Sequence, residues 1–296
     1  MRILLALTLI AAVSGCAATA APQPTRGPAA TPALHPCGQA GPAPTRYAHV
    51  VWIVMENKSY SDVMSGGSKA PFTRSLASAC GVATDFHAET HPSLPNYLAM
   101  TSGSTQGIRD DANPSAHRLA GPSIFSQLGS HWRALQESMP KACDRSPSGR
   151  YAPKHNPAAY YTSIARACAK QDVRLTSTPD LSARFTFITP NLCHDTHDCG
   201  VASGDRYLAS LMPKLVNSAQ YRAGKTAVFI TYDEDDGSSS NRIPTLVIAP
   251  HTPAGASATA RFTHYSLLRT SEDLLGLKQH LGAAKSAPTM RSAFGL

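Results

Sequence analysis

The sequence predicts an α/β domain built as a three-layer sandwich, in which helices cover both faces of a mainly parallel central sheet. Short apolar runs recur along the chain and each leads into a polar cluster, which is typical of strands buried on both faces. Segments with helical periodicity lie between them, most clearly at 207–216 and 265–275, and Gly276 follows the second as a C-terminal cap. The predicted strands are residues 48–55, 82–86, 184–189, 227–232 and 245–249.

The N-terminus has the pattern of a secretion signal. A single basic residue precedes an apolar run over residues 3–13, which is too short to span a bilayer as a mature helix. The run ends in Val-Ser-Gly-Cys, similar to a bacterial lipobox, which predicts a lipoprotein signal peptide over 1–15 and a lipid on Cys16. A plain cleaved signal is the alternative. Residues 16–47, rich in Ala, Pro and Thr, are predicted to tether the lipid to a folded domain over 48–296.

The remaining cysteines agree with export, either to the cell envelope or out of the cell. An even number of cysteines in an exported protein predicts disulfides. Proximity along the chain favours the pairs Cys37–Cys80, Cys143–Cys168 and Cys193–Cys199, although spacing alone leaves other pairings open. A zinc site would need paired, closely spaced cysteines, and the sequence lacks them.

Composition limits the classes of partner. Hydrophobic residues make up 42% and charged residues 16%, as in a folded globular protein. We expect this protein to be a monomer. The formal net charge of +8 favours anionic partners such as phosphate esters or acidic lipid headgroups. The sequence has no run of Lys and Arg with interleaved aromatic residues, so nucleic acid is not an expected partner.

The motif HPSLPNY at residues 91–97 contains the candidate nucleophile, Ser93. This serine lies between two prolines, so the backbone is not expected to continue a helix or a central strand there. The hydroxyl would be fixed at a sharp bend, where a nucleophile can be presented. His91 beside it is interpreted as an orienting or phosphate-facing group. An ordinary turn is the alternative for the motif taken alone.

Polar residues from separate strand ends predict a metal site beside this serine. Glu56 and Asn57 follow the first strand, and Asp233 and Glu234 follow the fourth. Ligands of such sheets bind beyond the carboxyl ends of the strands, so these side chains are expected to share one site with Ser93. Hard oxygen ligands suit a divalent cation, which would stabilise the serine alkoxide. A solvated acidic turn and a helix first-turn acid are the alternatives.

Three further histidines are candidates for phosphate binding or proton transfer. His197 lies in the loop that a Cys193–Cys199 disulfide would close, between aspartates that favour its protonated form. Metal ligation by His194, Asp195 or His197, or a purely structural loop, are the competing interpretations. His264 precedes a predicted helix, where anions bind, and His155 lies in a compact polar turn; a simple cap is the alternative for each.

Together these residues resemble a known family. The chain is similar to the bacterial phosphoesterase family of secreted acid phosphatases and phospholipases C, a branch of the alkaline-phosphatase-like superfamily, and most of all to its small secreted acid phosphatases. The matching blocks are HVVWIVMENKSY, HPSLPNYLAMTSG, KHNP, ITPNLCHDTHDCGVASGD, FITYDEDDGSSSNRIPT and THYSLLRTSEDLLGL. They extend from residue 49 to residue 277, so an alkaline-phosphatase-like fold is expected.

The resemblance also implies residue roles. Ser93 would be transiently phosphorylated and would complete a metal site of Glu56, Asn57, Asp233 and Glu234. Phosphate contacts or proton transfer would come from Asn96, His155, His197 and His264. Relatives often carry Asn at the position of His194, so the role of His194 stays open.

We therefore expect an exported acid phosphatase that hydrolyses phosphate monoesters through a phosphoserine, with a divalent metal of unspecified identity. Protonation of His197 or His264 would require mildly acidic pH. One alternative is a phospholipase C that acts on phospholipid or phosphoinositide headgroups. Another is a surface lipoprotein that binds phosphorylated ligands without turnover.

Overall fold

The first strand, β1 (His49–Met55), consists mostly of apolar residues and lies in the interior of the central sheet. The structure is a computed structural model that describes residues 34–296. The predicted signal peptide and the lipidation site Cys16 lie outside these residues. The other strands are β2 (Gly81–Ala83), β3 (Phe86–His87), β4 (Trp132–Gln136), β5 (Asp172–Arg174), β6 (Phe185–Thr189), β7 (Thr226–Tyr232), β8 (Thr245–Ile248), β9 (Ala256–Ala258) and β10 (Phe262–Thr263).

The sheet is mainly parallel, as predicted. Eight strands pair in the order β5-β4-β6-β1-β7-β8-β2-β9, and only β8 runs antiparallel to its neighbours. β3 and β10 form a separate parallel pair. The helices are α1 (Tyr60–Met64), α2 (Pro71–Ala79), α3 (Ser93–Ser102), α4 (Ile124–Gln127), α5 (Ala165–Gln171), α6 (Val201–Val216), α7 (Ala219–Arg222), α8 (His264–Leu274) and α9 (Arg291–Phe294).

Helices cover both faces of the sheet, which gives the three predicted layers. On one face, the Trp52 indole donates to the Ser271 hydroxyl of α8 at 2.9 Å, and Phe187 packs against Tyr97 of α3 with ring centroids 6.1 Å apart. On the other face, Met55 lies against Gly204 of α6 so closely that a Cβ there would be 2.8 Å from the Met55 methyl. Successive side chains of a strand point to opposite faces, so β1 anchors both layers.

The packed unit extends further towards the N-terminus than the sequence predicts. The tether was expected to end at residue 47, but the compact unit begins at Leu34. Cys37 forms a disulfide with Cys80, Gly38 donates to the Thr252 carbonyl at 2.9 Å, and the Tyr47 side chain is buried. Residues 34–47 therefore belong to the folded domain, because a covalent bond and backbone hydrogen bonds hold them against it.

The three predicted disulfides are confirmed: Cys37–Cys80, Cys143–Cys168 and Cys193–Cys199. The last of them closes the loop that carries His197. Among the helices described between residues 34 and 296, none has the length and apolar character needed to cross a bilayer.

Two local differences from the sequence prediction have physical causes. β4 was not predicted, because the polar residues Arg133 and Gln136 interrupt its apolar pattern. Ser93 does not merely lie at a bend but begins α3, with Pro95 in the first turn. Proline is tolerated there, since the first-turn N–H groups have no partner within the helix.

Asp172 is a buried carboxyl group remote from the sheet's centre. Its Oδ2 accepts from the Asn156 amide at 2.7 Å, and burial raises its pKa to about 8. Because this pKa lies above that of the unfolded chain, the folded protein holds an extra proton between roughly pH 4 and pH 8. Its contribution to stability is therefore fully present at low pH and is lost as the pH rises through that range.

Asp172→Asn should remove this pH dependence. Between pH 5 and pH 8.5, the unfolding free energy of the wild type should fall relative to the variant by on the order of 2 kcal/mol or more. Urea unfolding at both pH values measures the difference. Asp180→Asn is the matched control, since hydrogen bonds from Ser182 lower the pKa of Asp180 and place its titration below this range. Equal pH slopes for the wild type and Asp172→Asn would contradict the prediction.

Candidate active site

The Ser93 hydroxyl lies between two carboxylates that come from different strands. Its Oγ is 3.2 Å from Glu56 Oε2 and 3.2 Å from Glu234 Oε1, so it donates to one or the other. Glu56 directly follows β1, and Glu234 comes two residues after β7. The structure thus brings together residues that are 37 and 141 positions apart.

Asn57 links the ends of the same two strands. Its backbone has a positive φ of 44°, a left-handed conformation that asparagine adopts more readily than most residues. In this conformation the Asn57 N–H donates to Asp233 Oδ1, and the side-chain amide donates to Glu234 Oε1, each at 3.1 Å. All five predicted metal ligands therefore lie in one cluster.

Helix α3 presents two side chains to this cluster. Ser93 and Tyr97 are four residues apart, so they share one face of the helix. The Tyr97 hydroxyl donates to Glu56 Oε1, while Ser93 contacts the other oxygen of the same carboxylate. Glu56 is thereby oriented through both of its oxygens.

Asn96 holds the loop that leads into α3. Its Oδ1 accepts from the backbone N–H groups of Glu89 and Thr90 at 3.1 Å, and its Nδ2 donates to the Thr90 carbonyl at 2.7 Å. The structure thus engages both ends of this amide with backbone groups. Asn96 therefore fixes the turn that leads into Ser93.

His155 is buried between two carboxylates. Its Nε2 is 3.3 Å from Glu56 Oε2, its Nδ1 is 3.3 Å from Asp195 Oδ2, and its ring stacks on Tyr97. Burial lowers the pKa of His155 to about 3, so the imidazole is neutral. The neutral ring therefore packs beside Glu56, and its Nε2 makes no hydrogen bond within residues 34–296.

His197 lies on the side of the cluster next to Lys154. Its Nδ1 is 2.7 Å from Asp198 Oδ1, and its Nε2 is 3.3 Å from Lys154 Nζ. The His197 backbone N–H also donates to Asp195 Oδ1 at 2.8 Å. The short loop closed by the Cys193–Cys199 disulfide thus carries both Asp195, which lies next to His155, and His197, which lies next to Lys154.

Two other histidines of the predicted site contact predicted metal-ligand residues directly. Half-exposed His91 places Nδ1 2.6 Å from Glu234 Oε2 and Nε2 3.3 Å from Asp235 Oδ1. His264 is buried at the start of α8, with Nε2 2.7 Å from the Asp233 carbonyl oxygen. Burial lowers the pKa of His264 to about 4, which makes the imidazole neutral at mildly acidic pH.

His194 lies on a different side of its loop. Its Nδ1 is 2.9 Å from the Glu137 carboxylate, and its ring stacks on Tyr207 with centroids 4.7 Å apart. These side-chain contacts support the loop that carries Asp195 and His197.

Comparison with known proteins decides the family. The model of the phosphoesterase family matches residues 65–278. The chain belongs to the phosphoesterase family. A phosphatidylinositol-3-phosphatase of Mycobacterium tuberculosis is 33% identical over 265 residues, which cover 87% of this chain and 86% of that protein. The predicted family and the predicted enzyme class, a phosphoric ester hydrolase, are confirmed.

Two other relatives extend the comparison. An acid phosphatase of Aspergillus fumigatus is 29% identical over 248 residues, 77% of this chain and 54% of that protein, so this phosphoesterase spans about half the fungal relative's length. A solved structure from Vibrio parahaemolyticus, described as a protein in the alkaline phosphatase superfamily, superposes with a TM-score of 0.58. It shares 14% identity, covering 89% of this chain and 76% of that one. The predicted alkaline-phosphatase-like α/β fold is confirmed.

The site of this phosphoesterase concentrates buried negative charge. Burial, and then the charges of Asp233 and Asp195, raise the pKa of Glu56 well above its usual range. Burial likewise raises the pKa of Asp233, that of Glu234 to about 8 and that of Asp195 to about 7. Carboxylates packed this closely resist ionisation unless a cation is present.

A divalent cation fits this donor set. Asn57 Oδ1 and Asp233 Oδ2 are buried and accept no hydrogen bond from any residue in the range 34–296. With the oxygens of Glu56, Glu234 and Ser93 beside them, they form the hard-oxygen environment that Mg²⁺, Mn²⁺ or Ca²⁺ prefers. A second set of possible metal ligands, Glu56, His155 and Asp195, shares Glu56 with the first set, and its ligand atoms lie within 4.8 Å of one another.

Three residues that lie at the site were not predicted from the sequence. Tyr97 stands in the serine motif, and its four-residue spacing from Ser93 was a usable signal once the motif is helical. Lys154 is in the matched block KHNP, yet nothing local distinguishes it from a surface lysine. Asp111 lies in a loop after α3, where its partners Leu94 and Lys154 are set only by folding.

Tyr97→Phe should weaken metal binding. The change removes one hydroxyl that orients Glu56, and loss of such a supporting group typically lowers metal affinity about 10- to 100-fold. Titration of chelator-treated protein with Mn²⁺, followed by electron paramagnetic resonance, measures the affinity. Tyr161→Phe is the matched control, because its buried hydroxyl bonds Thr101 on the same helix at 2.9 Å. An equal effect of both variants would show that Tyr97 acts only through general stability.

Proposed function

We propose that this protein is an exported, metal-dependent acid phosphatase that hydrolyses phosphate monoesters through a phosphoserine at Ser93. The observation that carries the proposal is the position of the Ser93 hydroxyl, 3.2 Å from both Glu56 and Glu234 at the start of α3. A nucleophile at a helix N-terminus, surrounded by candidate cation ligands, suits attack on an anionic phosphoryl group.

The reaction would proceed in two steps. Ser93 Oγ passes its proton to Glu56 or Glu234, whichever accepts its hydrogen bond, and attacks phosphorus. The bond to the leaving oxygen breaks, and that oxygen takes up a proton from His197. Water then attacks the phosphoserine, the Oγ–P bond breaks, and inorganic phosphate leaves with the Ser93 hydroxyl restored. One of the two buried carboxylates, Glu56 or Glu234, accepts from the hydroxyl and holds its oxygen in place.

Glu56, Asn57, Asp233, Glu234 and Ser93 would hold the divalent metal. When bound, it would offset the charge of these carboxylates, favour the Ser93 alkoxide and stabilise charge on the phosphoryl oxygens. Tyr97 orients Glu56 through a hydrogen bond, while His155 lies beside Glu56 and His91 lies beside Glu234. These contacts keep the ligand oxygens fixed before substrate binds.

His197 is the candidate for proton transfer to the leaving oxygen. Asp198 lies 2.7 Å from its Nδ1, and Lys154 Nζ lies 3.3 Å from its Nε2, the nitrogen that would exchange a proton with substrate. Burial lowers the pKa of His264 to about 4, and its Nε2 contacts the Asp233 carbonyl oxygen, so His197 is the better placed of the two proposed proton donors.

The proposed substrates include phosphorylated lipids. The mycobacterial relative is named for a phosphoinositide phosphate monoester, and it aligns with 87% of this chain. The phosphatase would release inorganic phosphate from phosphatidylinositol 3-phosphate, whereas the alternative, a phospholipase C, would release diacylglycerol. Incubating the protein with vesicles of this lipid and identifying the product separates the two activities.

The proposed location is the cell envelope, through a lipid on Cys16, with secretion as the alternative. Three disulfides support an oxidising compartment. Labelling with radioactive palmitate should mark the wild type but not Cys16→Ser; label in both, or in neither, would contradict the lipid anchor.

Ser93→Ala should abolish turnover. We expect kcat for p-nitrophenyl phosphate to fall at least about a thousandfold, because the nucleophile is removed. Ser102→Ala is the matched control, since Ser102 lies on the same helix and its hydroxyl donates to the Leu98 carbonyl. Phosphate bound by wild type and Ser93→Ala alike, with no turnover by either, would support the non-catalytic lipoprotein instead.

Chelation should remove activity and lower stability together. A cation that binds only the folded state stabilises it, by about 2.7 kcal/mol at a concentration of 100 times Kd, and it also relieves repulsion among the buried carboxylates. Dialysis against chelator should therefore lower the Tm and stop hydrolysis, and added Mg²⁺, Mn²⁺ or Ca²⁺ should restore both. Full activity in metal-free protein would rule out the proposed mechanism.

A further inference from the structure

The carboxylate of Asp111 bridges two groups beside the nucleophile. Its Oδ1 accepts from the Leu94 backbone N–H at 2.9 Å, and its Oδ2 accepts from Lys154 Nζ at 2.9 Å. Leu94 directly follows Ser93 in the first turn of α3, where backbone N–H groups have no partner within the helix. The Asp111 carboxylate therefore binds the backbone N–H group next to the proposed nucleophile.

Lys154 is held at the edge of the carboxylate cluster. It lies in the 3-10 turn Pro153–His155, packed against α3, and its Nζ is also 3.3 Å from His197 Nε2. Lys154 Nζ therefore contacts both the Asp111 carboxylate and His197, the candidate for proton transfer.

The bridging carboxylate has the geometry of a partial phosphate mimic. A carboxylate presents two oxygens to two donors, as a phosphoryl group can. Lys154 Nζ and the Leu94 N–H are suitable donors for non-bridging phosphoryl oxygens once Asp111 moves. Lys154 and Asp111 each retain partial solvent exposure, so substrate can reach this position.

We propose that Lys154 and the Leu94 N–H form the subsite for the non-bridging oxygens of the substrate's phosphoryl group, and that Asp111 fills this subsite until substrate displaces it. The inference rests on the proposed phosphatase function and adds a specificity. At mildly acidic pH a monoester carries between one and two negative charges, since its second pKa is about 6, whereas a diester carries only one. Displacement of Asp111 by the substrate is therefore electrostatically more favourable for monoesters than for diesters. This preference is expected of a phosphatase and not of a phosphodiesterase.

Phosphate binding without turnover tests the subsite. In a metal-loaded Ser93→Ala background, isothermal titration with inorganic phosphate should give a Kd about tenfold lower for Asp111→Asn, because an uncharged amide competes less with the anion. Lys154→Met should raise the Kd about 10-fold or more. Asp110→Asn and Lys170→Met are the matched controls: Asp110 is exposed and bound to His117, and Lys170 is exposed on α5.

The specificity is measured with intact Ser93. Lys154→Met should reduce kcat/KM for p-nitrophenyl phosphate much more than for bis-p-nitrophenyl phosphate. A vanadate complex of the wild type should show the Asp111–Lys154 hydrogen bond broken and Lys154 Nζ on a vanadate oxygen. This last measurement uses no variant, so it stands even if Asp111→Asn fails to fold.

Several results would overturn the inference. Weaker phosphate binding in Asp111→Asn would make Asp111 a group that positions Lys154, and unchanged binding would mean that no displacement occurs. A vanadate complex that keeps the Asp111 bridge would also refute it. In each case the proposed function stands if the wild type hydrolyses p-nitrophenyl phosphate. A wild type that neither turns over substrate nor binds phosphate overturns the proposed function itself.

Discussion

The parallel pairing of β1 with β7 is the constraint on which the active site depends. The two strands pair over all seven residues of each, and the last pair is Met55 with Tyr232. Glu56 and Asp233 therefore leave the sheet at the same edge. The Asp233 N–H donates to the Met55 carbonyl at 2.9 Å, which continues the strand pairing into the site. Since both strands are buried between helices, the carboxylates stay together although they repel each other.

Helix α3 places Ser93 and Tyr97 next to the carboxylates that follow β1 and β7. Its first turn carries Ser93 and the Leu94 N–H, and Tyr97 follows one turn later on the same face. The helix packs against α8 and against the 3-10 turn that carries Lys154 and His155. One rigid element thus sets the distances from Ser93 to the proposed metal ligands and to the proposed anion subsite. This explains how residues with different proposed roles can occur within a single short motif.

The buried charge is unfavourable for stability and suited to function. Burial raises the pKa of Glu56, Asp233 and Glu234, so a protein selected for stability alone would replace these side chains. Asn57 and Tyr97 donate to the carboxylates, which offsets part of the desolvation. Oxygen atoms that accept no hydrogen bond within residues 34–296 remain available for a cation. Local destabilisation of this kind is common where a site must bind a charged group.

The sequence by itself determined the features that depend on local patterns. Continuous apolar runs identified β1, β6 and β7, and the HPSLPNY motif identified Ser93 as the candidate nucleophile. Proximity along the chain favoured the disulfide pairs that the structure then selected. Only the tertiary structure decided which groups surround His155, that residues 34–47 pack on the domain, and that Asp111 reaches Lys154. Each of these outcomes depends on contacts between residues distant in the chain. Apolar periodicity records burial within one element, whereas side-chain partners follow from how the elements pack together.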